Sequence, residues 1–431
     1  MDSDFTPAKR PAGSLQAKLD TLPETPKPDT KTFQTPEEAA AVDDIDQSAG
    51  LAEEVSNGLS LDDTANNQKP PKSPRDWRAL LKLHWPPGKK EWTIAAVVVL
   101  LGGLGIFLLT HHSKPVAIVK PAIVKPKPAP KPTTVPSTLT GLPVDPSVNQ
   151  RPVTGVMIEN SDQARPQSGL GQAGVVFEAV AEGGITRFLA LYQDTAPANV
   201  GPIRSARPYY IQWALGFNAA YAHVGGSPDA LADIKSLGVR DLDEFANGGS
   251  YHRSASRPAP HNVYTAISTL NQLEATKGFT ASTYTGFARK TAAPSKQPTA
   301  GNIGLVLSGS DYNVHYSYVA ATNSYNRSEG GAPQTDANTS QQISPKVVVA
   351  MIIPKSQGAL DASGAYYSNY AVVGSGPVYV FQDGAATVGT WTKSSPTSQI
   401  TFTDASNQPI KLIPGQAWLS AISPGNLSYS P

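Results

Sequence analysis

A stretch without a single charged residue, from Trp92 to Thr110, constrains this 431-residue chain more than any other feature. A helix rising about 1.5 Å per residue needs roughly 20 such residues to cross the hydrocarbon core of a bilayer. The stretch begins too deep in the chain for a cleaved signal peptide, and no amphipathic segment flanks it as a packing partner. One transmembrane helix over residues 91–111 is the expectation. The first 90 residues, rich in Pro, Asp, Glu, Thr, Ser and Gln, are expected to stay disordered as a cytoplasmic tail. Beyond the apolar stretch, Ala-Ile-Val-Lys-Pro occurs twice, at residues 117–121 and 122–126, and alternating prolines continue to Pro132. Such a sequence favours extended polyproline II, so residues 112–140 read as a stalk. Arg75, Arg78, Lys82, Lys89 and Lys90 precede the span, whereas Lys114, Lys120, Lys125 and Lys127 follow it. That small excess places the N-terminus inside and the C-terminal two-thirds outside, in a single-pass protein of the plasma membrane.

The remaining chain is organised around arginine. Between Arg151 and Lys290 there are nine Arg against three Lys. A guanidinium offers a planar fork of donors that fits a carboxylate or phosphate, which a lysine does not. Arg204 and Arg207 stand three residues apart before Pro208, and Arg253 and Arg257 stand shortly before His261 and Asn262. If helices start close behind each group, their unpaired N–H groups add to an anion site. One reading is a cleft in which Arg204, Arg207, Arg253 and Arg257, with His261 and Asn262 and with Glu178, Glu182 and Arg187, bind an acidic ligand. The other is internal bracing of the domain by Glu178, Glu182, Asp241, Asp243 and Glu244. Sequence alone leaves both standing.

Local patterns give the framework. Residues 153–158, 174–182 and 185–192 read as strands, the last two joined as a hairpin at Gly183-Gly184. A two-residue loop opposes residues whose numbers sum to 367, so Val180 faces Arg187 and Glu178 faces Leu189. Glu178, Glu182 and Arg187 then share one face, and Phe177, Ala179, Ala181, Phe188 and Ala190 point to the core. Helices are expected from Pro208, from Ser227-Pro228-Asp229 to Gly238, and from Thr265 to Gly278. This is an α/β-type domain over residues 141–295. A Ser/Thr/Ala/Pro-rich connection at 291–300 leads into a β-rich domain over 300–431, with strands at 303–307, 314–319, 347–353, 378–381 and 399–402. The whole is therefore α+β. Trp391 and Trp418, each near a turn glycine, are expected to be buried rather than to form a ligand platform.

Chemistry-bearing patterns are sparse. The absence of cysteine excludes disulfides, thiolate metal sites, a cysteine nucleophile and attachment through a lipobox cysteine. His223 and His261 are the candidate general bases, with Glu178 or Glu182 as partner, but no metal-binding His/Glu spacing occurs. On one strand Glu178 and Glu182 stand roughly 13 Å apart, too wide for a glycosidase pair. No nucleophile elbow, phosphate loop or dinucleotide fingerprint is present, so no cofactor is expected. The net charge of +1 averages an acidic tail with an arginine-biased domain and decides nothing. An outward-facing domain without a lysine-rich stripe is nonetheless a poor partner for nucleic acid.

Several ordered motifs resemble the YerB-like family, whose members are described as bacterial lipoproteins of unknown function. They are Met157-Ile158-Glu159-Asn160, residues 164–170, 182–188, 201–208 and 257–262, then Ser324-Tyr325-Asn326-Arg327, Gly374-Ser375-Gly376, Asp383-Gly384, Gly389-Thr390-Trp391 and 414–418. The resemblance covers about residues 141–425. It implies a two-part extracytoplasmic protein, α/β first and β-rich second, and it supplies no catalytic residue. This chain departs from it by offering a transmembrane span in place of a lipidated cysteine. The combined expectation is a non-catalytic envelope protein binding an acidic wall polymer or an envelope protein. An enzyme acting on wall glycan or peptide, with His223 or His261 as base, is the alternative. A scaffold whose tail binds a cytoplasmic partner is a third.

Overall fold

The computed structural model describes residues 99–107 and 133–431. Residues 99–107 form a helix, α1, within the apolar stretch, and among the described residues no helix is long and apolar enough to cross a membrane. The remainder of the expected span, the tail at 1–90 and the stalk up to Pro132 lie outside the described residues. Folded chain starts earlier than residue 141. Val135–Pro136 pairs with Pro143–Val144, and Leu139 between them is buried.

The first half supplies strands β1 (Thr154–Glu159), β2 (Val175–Val180), β3 (Thr186–Tyr192), β4 (Ala220–His223) and β5 (Arg240–Asp243). It also supplies helices α2 (Pro208–Leu215), α3 (Pro228–Ser236) and α4 (Ile267–Thr276). After an irregular connection come β6 (Asn302–Leu305), β7 (Val314–Val319), β8 (Ser324–Glu329) and β9 (Ala332–Pro333). The chain closes with β10 (Val347–Ile352), β11 (Gly374–Gln382), β12 (Ala385–Lys393), β13 (Thr401–Asp404), β14 (Ala417–Ile422) and β15 (Leu427–Ser430). The fold is β-rich, with few helices.

Its two sequence halves share one sheet. Ten strands run in the order β13-β12-β11-β10-β14-β2-β3-β1-β4-β5, and the halves join where β14 pairs in parallel with β2. A second sheet, β9-β8-β7-β6-β15, packs with α4 on one face of the ten-stranded sheet, over Val176, Phe188, Ala190 and Trp418. On the other face α2 and α3 cover Val175, Phe177, Leu189 and Leu191, and Trp213 stacks on Phe177 at 4.9 Å. Strands covered on both sides need apolar residues on both sides, which is why β1, β2 and β3 carry near-continuous apolar runs.

The hairpin differs from the expected one. Ala181 N–H donates to Ile185 O at 2.7 Å, so the loop is the three residues Glu182-Gly183-Gly184, with both glycines at positive φ (56° and 83°). Opposed numbers therefore sum to 366: Glu178 faces Phe188 and Ala179 faces Arg187. A slip of one residue turns every side chain to the opposite face. Arg187 accordingly lies on the helix-covered face, and Glu178 on the face covered by the second sheet. Assigning one face to the core and the other to the ionic group was thus incorrect, because both faces are core. Gly389, read as a turn glycine, lies within β12, opposite Asp404.

Candidate functional site

The arginines separate into two groups. Arg207 is the residue before α2, but its guanidinium turns inward, donating to Glu182 Oε2 through Nε at 3.0 Å and Nη2 at 2.5 Å. Arg187 donates to Glu182 Oε1 at 2.5 Å and to Ser205 O at 2.8 Å. Burial pushes the Glu182 carboxyl up, but the two guanidinium groups outweigh it and hold the pKa below its ordinary 4.5. Glu178 is fully buried elsewhere, accepting from Arg327 Nη2 at 2.7 Å, Trp418 Nε1 at 2.8 Å and Ser420 Oγ at 2.9 Å. Glu178, Glu182, Arg187 and Arg207 are therefore internal bracing, and a ligand cleft containing all of them does not form.

Arg204 and Arg253 do meet. Both line a cleft of about 500 Å³ with Ile203, Val224, Asp243, Phe245 and Pro260. Arg204 approaches Glu159 Oε1 with its Nε at 3.4 Å, and that buried Nε has no hydrogen-bond partner. Arg253, half exposed, donates to Asn262 Oδ1 at 3.1 Å and lies 3.4 Å from Glu244. Arg257 is held by two carbonyls, donating to Gln163 O at 3.3 Å and Pro166 O at 2.8 Å. It braces the 163–166 turn. The expected four-arginine cleft is a two-arginine cleft.

The histidines also differ from one another. His223 is fully buried, with Nδ1 facing Gly225 O at 2.7 Å and Nε2 facing Asp241 Oδ1 at 2.9 Å. Both ring nitrogens are thus occupied by partners within the fold, so neither is turned towards a ligand or a metal. His261 pairs with a carboxylate that sequence reasoning did not single out: its Nδ1 lies 2.8 Å from Glu159 Oε1, with Ser161 Oγ at 3.3 Å. Ser161 Oγ donates to the same Oε1 at 2.9 Å, while Glu159 Oε2 is buried without a partner. Glu159 thus gathers Arg204, His261 and Ser161 at the end of β1. The signal lay in the polar triplet Glu159-Asn160-Ser161 directly after an apolar strand.

The model of the DUF3048 N-terminal domain, a protein domain of unknown function, matches residues 139–280, and its C-terminal counterpart matches 303–419. The chain is 30% identical over 288 residues to a Bacillus subtilis protein named "Putative lipoprotein YerB", covering 66% of this chain and 85% of that one. It is also similar to the crystal structure of the Bacillus subtilis YerB protein, with a TM-score of 0.61 and 28% identity. That match covers 69% of this chain and 100% of the other.

Proposed function

Since the chain belongs to the DUF3048 family, we propose that its folded part is a non-catalytic binding module of the bacterial envelope, tethered to the membrane by the apolar span at 91–111. The relative described as a lipoprotein supports membrane attachment, and the charge-free stretch supplies the means in a chain without cysteine. The Arg204–Arg253 cleft takes the acidic groups of a wall polymer or of a partner protein. One observation carries this reading: Arg253 reaches the cleft half exposed, held only by Asn262 and a loose 3.4 Å contact with Glu244. An ion pair of that length and exposure contributes little, so an incoming anion displaces Glu244 at small cost. Co-sedimentation of the detergent-purified chain with cell-wall sacculi tests it. Arg204→Ala/Arg253→Ala is expected to weaken binding roughly tenfold or more, since each charged hydrogen bond contributes about 1.5–3 kcal/mol. Raised salt should weaken the wild type similarly. Undiminished binding by the double variant would remove these arginines from the function.

A second reading has its own observation. Glu159 orients His261 through Nδ1, and Nε2 makes no hydrogen bond to another described residue. That is the arrangement of a histidine poised to take a proton from water. Under this reading, wall fragments released from purified sacculi fall at least a hundredfold with His261→Ala and persist with Arg253→Ala. Absence of released fragments with wild-type protein leaves the binding reading.

A further inference from the structure

A different cavity, of about 440 Å³, opens where the two sequence halves meet. Asp162, Arg165, Pro166 and Gln167 line it from the first half; Asp311, Glu329, Gly330 and residues 332–335 contribute from the second. Glu329 has a side chain only 2% exposed. Its Oε1 accepts from Asn160 Nδ2 at 2.6 Å, with Arg165 Nη2 at 3.4 Å and Arg327 Nη2 at 3.6 Å. Its Oε2 is buried and has no hydrogen-bond partner. A buried carboxylate oxygen left unpaired costs about 1–3 kcal/mol or more, and such exceptions call for an explanation.

Arg165 does not supply the missing donor. Its nitrogens are committed to Asn160 Oδ1 at 3.1 Å, Asn160 O at 3.2 Å and Asp311 O at 3.0 Å, with Asp162 Oδ1 at 3.2 Å. The guanidinium also lies over the Tyr312 ring at 5.0 Å. Arg327, the other nearby cation, is committed to Glu178 and Tyr316. The cavity is therefore lined by a carboxylate whose buried second oxygen lacks a donor, and Asp162 and Asp311 line the same cavity.

We propose that this cavity binds the primary ammonium group of a small ligand, with Glu329 Oε2 accepting its hydrogen bond and Asp162 and Asp311 attracting its charge. Pro166, Ala332 and Pro333 provide apolar surface for the carbon attached to that nitrogen. Burial pushes the Glu329 carboxyl up to about 7, against the pull of Arg327, so an approaching cation stabilises the ionised form. The site is independent of the arginine cleft and stands whether or not that cleft binds wall polymer.

The test is ligand-observed saturation-transfer NMR on the full chain in detergent at pH 8, using n-butylammonium chloride as probe and n-butanol as neutral control. The expected result is saturable binding of the amine, at least tenfold tighter than of the alcohol. That binding should weaken at least tenfold in Glu329→Gln and likewise in Ala332→Trp, which fills the cavity while keeping Glu329. Should Glu329→Gln fail to fold, Ala332→Trp decides alone. Equal binding of alcohol and amine, no saturation, or undiminished binding in either folded variant would overturn the proposal.

Discussion

Arg327→Met is expected to destabilise the folded chain by about 3–5 kcal/mol, the cost of leaving a buried charge without its partner. Both side chains of the Arg327–Glu178 pair are 0% exposed, at 2.7 Å. Arg327 also donates to Tyr316 Oη at 2.8 Å and to Gln334 Oε1, and lies 4.4 Å from the centroid of Trp418. Removing it strands Glu178 in the core between the two sheets. Replacing both residues, as Glu178→Leu/Arg327→Met, should recover part of the loss, because two apolar groups replace two charges. Recovery cannot be complete. Trp418 Nε1 and Ser420 Oγ then lose the acceptor they share, at about 1–3 kcal/mol each. Urea unfolding of the three proteins measures this. A single variant within about 1 kcal/mol of wild type would show that the charge relaxes into water.

That pair also shows where reading the sequence stops. Glu178 and Arg327 are 149 residues apart, and nothing local in either segment announces the other. The α3 helix was fully legible, because cap chemistry is local: Ser227 accepts from Ala230 N at its start, and Gly238 takes a positive φ beyond its end. Burial of Trp418 and Trp391 followed from size and apolarity, and both are at most 3% exposed. The hairpin was legible as a hairpin but not in register, since Gly183-Gly184 suits loops of two or three residues equally well. Arg204 and Arg207 look like a pair by spacing. Helical backbone begins only at Pro208, so extended backbone before it sends Arg204 to Glu159 and Arg207 to Glu182. Of the residues read from the sequence, Arg204 and Arg253 line one cleft and His261 lies against Glu159, a contact that required knowing which loop returns to the end of β1.

Glu182→Gln is expected to cost about 3 kcal/mol at neutral pH, because one carboxylate holds two largely buried guanidinium groups. Gln offers one acceptor oxygen where Glu182 offers two, so either Arg187 or Arg207 loses its partner. The pH dependence separates this charge effect from simple loss of packing. The Glu182 pKa is lowered on folding, so its contribution is fully present above the ordinary 4.5 and is lost as pH falls through the lower, folded value. The stability difference between wild type and Glu182→Gln should therefore stay constant from pH 8 to about 5 and shrink below pH 4.5. Asp241 and Asp383 are also lowered and acidify the stability curve of both proteins, so only the difference reports Glu182. A difference that persists unchanged well below that range would mean Arg187 and Arg207 are held by shape rather than charge. Their backbone acceptors, Ser205 O and Ala206 O, would then be what fixes the turn leading into α2.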